Sequence, residues 1–227
     1  PDTLIATILE LDSIQCFGDN TSNLFSQVTG GTSPYAYNWS TSDTTAELDS
    51  LFIGSYSVTV SDFNGCTDSS NYLVTQPDSL VIDSLFYGPA SCYGFSDAIG
   101  FVSANGGSLP YSFMWSTGES SDSAFTLSEG SQSVIVTDIY GCQVDTTMVI
   151  SQPDSLVVDV NVLNPANCDN SWDGSLIASA TGGNGGYQYM WSNTDADSIL
   201  NDAIHGTYTV TLTDSKGCLD SMDYYLP

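Results

Sequence analysis

The six cysteines have the most chemistry to offer, and their spacing is regular. They stand at 16, 66, 92, 142, 168 and 218. These are three pairs with one fixed spacing inside the pair and one fixed step from pair to pair. None forms a CxxC pair and the only histidine is His205, so zinc and haem sites have little support. Evenly distributed pairs in an acidic chain point instead to disulfides and an oxidising, extracellular setting. The expected pairing is Cys16–Cys66, Cys92–Cys142 and Cys168–Cys218, one bridge within each repeat, each closing a loop worth about 4 kcal/mol. The competing reading is six buried free thiols.

Other chemistry is sparse. One His and one Lys, Lys216, remove most acid–base and nucleophile-activating arrangements, so no enzyme is expected. Aspartate pairs are too common here to be informative. Asp169-Asn170-Ser171-Trp172-Asp173-Gly174 resembles the opening of a D-x-[DN]-x-[DN]-G calcium loop, but Ala180 occupies the place of the closing Glu. The ligand set is not repeated elsewhere. A solvated turn is the preferred reading, no cofactor is expected, and calcium is the minor alternative. His205 reads as an exposed loop residue.

Charge narrows the partners. There are 27 acidic residues and one basic, a formal net charge of -26. Phosphate neutralisation needs Lys and Arg, so nucleic acid and anionic membrane surfaces are excluded as partners. A hydrophobic content of 41%, with 11% aromatic, argues against the disorder that acidity usually signals. No apolar run approaches bilayer length, so no membrane insertion is expected. The start at Pro1, without a leader, reads as mature or internal sequence.

The elements that position these residues recur three times. Gly30-Gly31-Thr32-Ser33-Pro34-Tyr35-Ala36-Tyr37-Asn38-Trp39-Ser40 returns around Trp115 and Trp191, at equal intervals. Pro1-Asp2-Thr3-Leu4 matches Pro77-Asp78-Ser79-Leu80 and Pro153-Asp154-Ser155-Leu156. The expected units are 1–76, 77–152 and 153–227, joined by short Gln-Pro-Asp linkers. Alternation predicts strands throughout: Tyr56, Val58 and Val60 face one way, and Ser57, Thr59 and Ser61 the other. In the middle repeat, strands are expected over 80–86, 99–104, 111–116, 123–127, 131–138 and 144–151. Asn64-Gly65, and Gly141 and Gly217 in the same place, predict hairpins between the last two strands.

Leu51-Phe52-Ile53-Gly54-Ser55-Tyr56 has the form of a tyrosine corner, whose hydrogen bond is expected to be missing or altered in the middle repeat, where Gln132 replaces the tyrosine. The three repeated tryptophans invite a lectin reading, but a Trp on a third strand is expected in a sandwich core. The fold class is therefore all-β: three tandem immunoglobulin-like (fibronectin-like) β-sandwich repeats, with one disulfide inside each. Six alternating strands would place both termini of a repeat at one end, so an extra strand in 117–122, or a broken first strand, is required for head-to-tail stringing.

Together, the Cys, the GG-x-x-PY-x-Y-x-W-S stretch, L-x-x-G-x-Y-x-V-x-V-x-D-x-x-G-C and the closing Gln-Pro make the chain similar to the SprB-type repeat. That family occurs in very long cell-surface adhesins of gliding bacteria, exported by type IX secretion. Departures are Gly186 for the proline, Gln132 for the tyrosine and Ala203 for the leucine. The resemblance implies an extracellular, cell-surface location and a stalk or filament role, with neighbouring repeats as partners and extracellular polysaccharide or other surfaces as candidate targets. The alternatives are a tandem carbohydrate-binding array and a self-assembling filament subunit that exchanges strands. It also implies that Asp-Ser/Thr sequences could serve as O-glycosylation acceptors, at Thr3, Ser13, Thr44, Ser50, Ser79, Ser84, Ser123, Thr146, Ser155, Ser198 and Ser221.

Overall fold

The computed structural model describes residues 2–167 and 172–227. Every regular element among them is a strand. β1 (Ile5–Asp12), β2 (Ser22–Thr29), β3 (Ala36–Trp39), β4 (Glu47–Leu51), β5 (Gly54–Ser61) and β6 (Thr67–Val74) form the first set. The same set returns as β7 (Val81–Tyr87), β8 (Ala98–Asn105), β9 (Ser112–Trp115), β10 (Ser123–Leu127), β11 (Gly130–Thr137) and β12 (Gln143–Ile150). The third set is β13 (Val157–Asn164), β14 (Gly174–Thr181), β15 (Gln188–Trp191), β16 (Ile199–Ala203), β17 (Gly206–Thr213) and β18 (Leu219–Leu226). Among the described residues no helix is long and apolar enough to cross a membrane.

Each set makes two three-stranded sheets, β1-β2-β4 and β3-β5-β6 in the first. This is the immunoglobulin arrangement without its fourth strand: A-B-E in one sheet and C-F-G in the other. Alternation builds the core. Val58 and Val60 of β5 turn inward, meeting Trp39, Ala6, Ile8, Leu24, Leu48 and Val74, while the intervening Ser and Thr face water. The corner tyrosines close as expected: the Tyr56 hydroxyl donates to the Phe52 carbonyl at 3.1 Å and Tyr208 to Ile204 at 3.0 Å. In the middle repeat the Gln132 amide donates to the Ser128 carbonyl at 3.0 Å, a different side chain making the same bond.

Strand direction departs from expectation. β1 and β4 both run antiparallel to β2. β3 pairs with β5 around Trp39↔Val58, and β4 with β2 around Phe25↔Glu47. β3 and β4 are thus two halves of one rising path that changes sheets midway. This removes one reversal of direction, so β1 and β6 run parallel. Asp68 accepts the Ala6 N–H at 2.8 Å near the start of both strands, and Tyr72 donates to Glu10 at 3.0 Å near their ends. The chain therefore enters a repeat at one end and leaves at the other. The strand broken to achieve this is the third, not the first, and 117–122 holds no strand.

The chain divides into two compact units. The first comprises Pro1–Ser84, Val102–Met114 and Val134–Thr146, and the second Leu85–Phe101, Trp115–Ser133 and Thr147–Pro227. The division passes through the middle set of strands.

Candidate functional site: the stapled junctions

The same change of direction decides the disulfides. Cys16 follows β1 at the exit end of its repeat, whereas Cys66 precedes β6 at the entry end, so the two cannot meet. Cys16 bonds Cys142 instead, with Cα atoms 5.6 Å apart, inside the first compact unit. Cys92 bonds Cys218, with Cα atoms 5.7 Å apart, inside the second. Each bridge spans 126 residues, joining the β1–β2-type loop of one repeat to the β5–β6-type turn of the next. The expected pairings Cys16–Cys66 and Cys92–Cys142 are therefore wrong, and so is a bridge inside each repeat. Cys66 is an exposed free thiol. Cys168, and with it Cys168–Cys218, lies outside the described residues, but Cys218 is already bonded to Cys92.

Three devices, repeated along the chain, hold the cysteines in place. The first is the Gly-Gly turn after β2-type strands. Gly31, Gly107 and Gly183 donate their N–H to the linker carbonyls of Asp2, Asp78 and Asp154 at 3.0, 2.8 and 2.9 Å. A Cβ on Gly106, at φ +77°, would lie 2.0 Å from the Ser79 carbonyl oxygen, so only glycine permits the contact. The second is the linker glutamine. Gln76 accepts the Gly18 N–H at 3.0 Å and Gln152 the Gly94 N–H at 2.6 Å, tying each linker to the loop just past Cys16 or Cys92.

The third is a buried aspartate at the end of each β5-type strand. One oxygen of Asp138 accepts the N–H groups of Tyr140 and Cys142, both at 2.9 Å, and the other accepts Ser108 N–H at 2.9 Å. Asp62 and Asp214 repeat the pattern on Cys66 and Cys218. Burial disfavours the charged form of these carboxyls, but the converging N–H donors outweigh it and hold all three below the usual carboxylate range. Asp214, with the Asn184 side-chain amide as a further donor, falls to about 2. Asn184 also donates to the Ser91 carbonyl at 2.9 Å, a direct hydrogen bond across the second junction. Cys92 there belongs to the apolar cluster of Leu156, Cys218 and Trp191.

The remaining predicted positions scatter. Trp39, Trp115 and Trp191 are 1–2% exposed, and their indole N–H groups donate to Thr45, Ser121 and Asp197 carbonyls. They are core posts, with no face left for a sugar. Trp172 is 68% exposed. His205 is exposed in a bend. Of the Asp-Ser/Thr positions, Ser123 and Thr146 are half-buried, and Thr3, Ser13, Thr44, Ser50, Ser79, Ser84, Ser155, Ser198 and Ser221 are exposed. Much of the suggested calcium loop, 169–171, lies outside the described residues; Asp173 accepts from the Asn167 side-chain amide at 2.6 Å. No group of three or more His, Cys, Asp or Glu able to hold a metal occurs among the described residues.

Two features of the junction were not foreseen, the aspartate cradle and the linker clamp. Both had a signal. Asp62, Asp138 and Asp214 each precede a cysteine at the same short spacing, and Gln76 and Gln152 recur immediately before a proline.

Residues 160–196 match the SprB repeat. The SprB match covers β14 and β15 with their connection, and the internal period carries the same Gly-Gly and Trp positions into the two preceding repeats. No curated protein matches the chain. Among solved structures it is similar to the three N-terminal domains of the bacteriophage RB49 Highly Immunogenic Outer Capsid protein (13% identity, 99% of this chain and 95% of that one, TM-score 0.43). It is also similar to the N-terminal eight Ig domains of DSCAM isoform 1.30.30 (10% identity, 99% and 36%, TM-score 0.39). Drosophila OTK extracellular domains 3–5 follow at 10% identity, 99% and 97%, with a TM-score of 0.29. Likeness at this level carries no functional argument, and the sandwich of each repeat rests on its own strand pairing.

Proposed function

We propose that this chain is a structural segment of a secreted bacterial cell-surface adhesin, a stalk or filament that holds another part of the molecule away from the cell. It acts in surface attachment or gliding and has no catalytic role. The observation that supports this best is the placement of the disulfides. They join successive repeats rather than closing each one, and each junction adds a clamped linker. Units 1–76, 77–152 and 153–227 with bridges at their borders suit a part that must transmit tension outside the cell, where disulfides persist. The match to the SprB repeat supports the same setting and, with it, type IX export. The net charge of -26 would keep neighbouring stalks apart. Sugars on the exposed Asp-Ser/Thr positions would add to that shielding.

The alternatives lose the features they needed. A lectin array built on the repeated Trp strands has its tryptophans in the core. Strand exchange would leave a set with a strand paired outside it, whereas all six strands of each set pair within that set. The test is electron microscopy of producing cells labelled with gold-tagged antibody against this chain. Label spaced along the shaft of surface filaments is expected; label confined to a distal tip, or absent from the cell surface, would refute the stalk reading.

A further inference from the structure

The two observed junctions share one receptor face, and the first repeat presents a third copy of it. At the first junction Cys16, Phe17 and Asp19 of the loop line one hollow together with Ser79, Leu80, Cys142 and Gln143. At the second, Cys92, Tyr93 and Phe95 line one with Leu156, Gly217, Cys218 and Leu219. The matching positions of the first repeat, Thr3, Leu4, Cys66 and Thr67, line a hollow of about 250 Å³ with Gly31 and Asp62. The cradle is already formed there. Asp62 holds the Cys66 N–H at 2.8 Å, as Asp138 holds Cys142 and Asp214 holds Cys218, each at 2.9 Å. Gly31 already clamps Asp2 as Gly107 clamps Asp78. The faces differ at sulfur: Cys142 and Cys218 are bonded, and Cys66 is an exposed thiol.

We infer that Cys66 is the receptor half of a further junction, and that its partner is the cysteine-bearing β1–β2-type loop of another repeat of this kind joined ahead of the first. The partner belongs to the same polypeptide because both observed junctions join consecutive repeats, and Asp2-Thr3-Leu4 repeats the linker sequence of Asp78-Ser79-Leu80. The bond forms by exchange with a small disulfide such as oxidised glutathione. The Cys66 thiolate attacks it, giving a mixed disulfide and one glutathione thiolate. The loop thiolate then attacks Cys66 Sγ and expels the second glutathione, so two protein thiols are oxidised and one glutathione disulfide is reduced. The inference stands on the junction geometry and not on the stalk reading.

The test adds a copy of residues 77–152, carrying Ser84→Ala so that its Cys92 peptide has a mass of its own, ahead of the full chain and oxidises the product in a glutathione buffer. Proteolysis without reduction, followed by mass spectrometry, is expected to find the added copy's Cys92 linked to Cys66 within one molecule. In the same background, Cys66→Ser is expected to expose one more alkylatable thiol. The Cys16–Cys142 and Cys92–Cys218 linkages, read in the same digest, report that the rest has folded. With those two intact, a Cys66 that stays alkylatable, or that links to a second molecule or to any other cysteine, overturns the inference.

Discussion

Pulling the chain from its two ends offers the sharpest physical consequence of the junctions. The perturbation is reduction, applied to a variant carrying Cys66→Ser and Cys168→Ser so that only the four bonded cysteines remain. The two bridges interleave, because Cys92 lies within the loop closed by Cys16–Cys142. The shortest covalent path therefore runs from residue 1 to Cys16, across to Cys142, back along the chain to Cys92, across to Cys218 and on to residue 227. That is about 77 residues, or roughly 270 Å of extended chain at ~3.5 Å per residue. Reduction frees the whole chain, roughly 800 Å at the same rise. Optical-tweezers unfolding with handles at both ends measures both lengths. Pairing within repeats would leave only Cys92–Cys142 available in this variant, giving a path of about 178 residues and roughly 620 Å before reduction. An unreduced length matching that longer path, or matching the whole freed chain, would refute the reasoning. Each bridge also closes a loop of 126 residues, which in the chain-entropy model is about 5 kcal/mol, so the unreduced molecule should also unfold at a markedly higher temperature.

Two further outcomes follow from the devices that place the cysteines. Gly106→Ala should destabilise by more than about 3 kcal/mol, since a Cβ would overlap the Ser79 carbonyl, whereas Gly118→Ala, at φ +89° in open space, should cost only about 1 kcal/mol; denaturant titration of both variants checks the contrast. The carboxyl of Asp214 is depressed in the folded chain to about 2 from an ordinary 3.8, so its contribution is complete above about pH 4 and is lost as pH falls towards 2. Melting temperatures of the parent and Asp214→Asn should therefore converge over that interval, and a gap that stays constant would contradict the assignment.

Much of the fold was legible because inward alternation survives in all three fifth strands, as at Val58 and Val60, Val134 and Val136, and Val210 and Leu212. The six strands of the middle repeat accordingly fall close to their expected ends. The core role of Trp39, Trp115 and Trp191 was legible for the same reason. The cysteine partners were not. Spacing reports separation along the chain, whereas pairing depends on which end of the sandwich each cysteine reaches. That depends on the crossing between Trp39 and Glu47, where one path changes sheets without changing direction. Nothing in residues 40–46 distinguishes that crossing from an ordinary reversal, and one missing reversal moves Cys66 to the opposite end from Cys16. The Gly-Gly pair was conspicuous in sequence, but its partner, the Asp-Ser/Thr linker, comes before the whole β1–β2 hairpin that ends in that pair. The clamp was therefore visible only in three dimensions.

Covalent joints between repeats are the central claim, and one measurement reads them directly. The unreduced chain, alkylated at its free thiols and digested with an aspartate-directed protease, should yield the linked peptides Cys16–Cys142 and Cys92–Cys218, with Cys66 alkylated. Recovery of Cys16 linked to Cys66, or of Cys92 linked to Cys142, would contradict it.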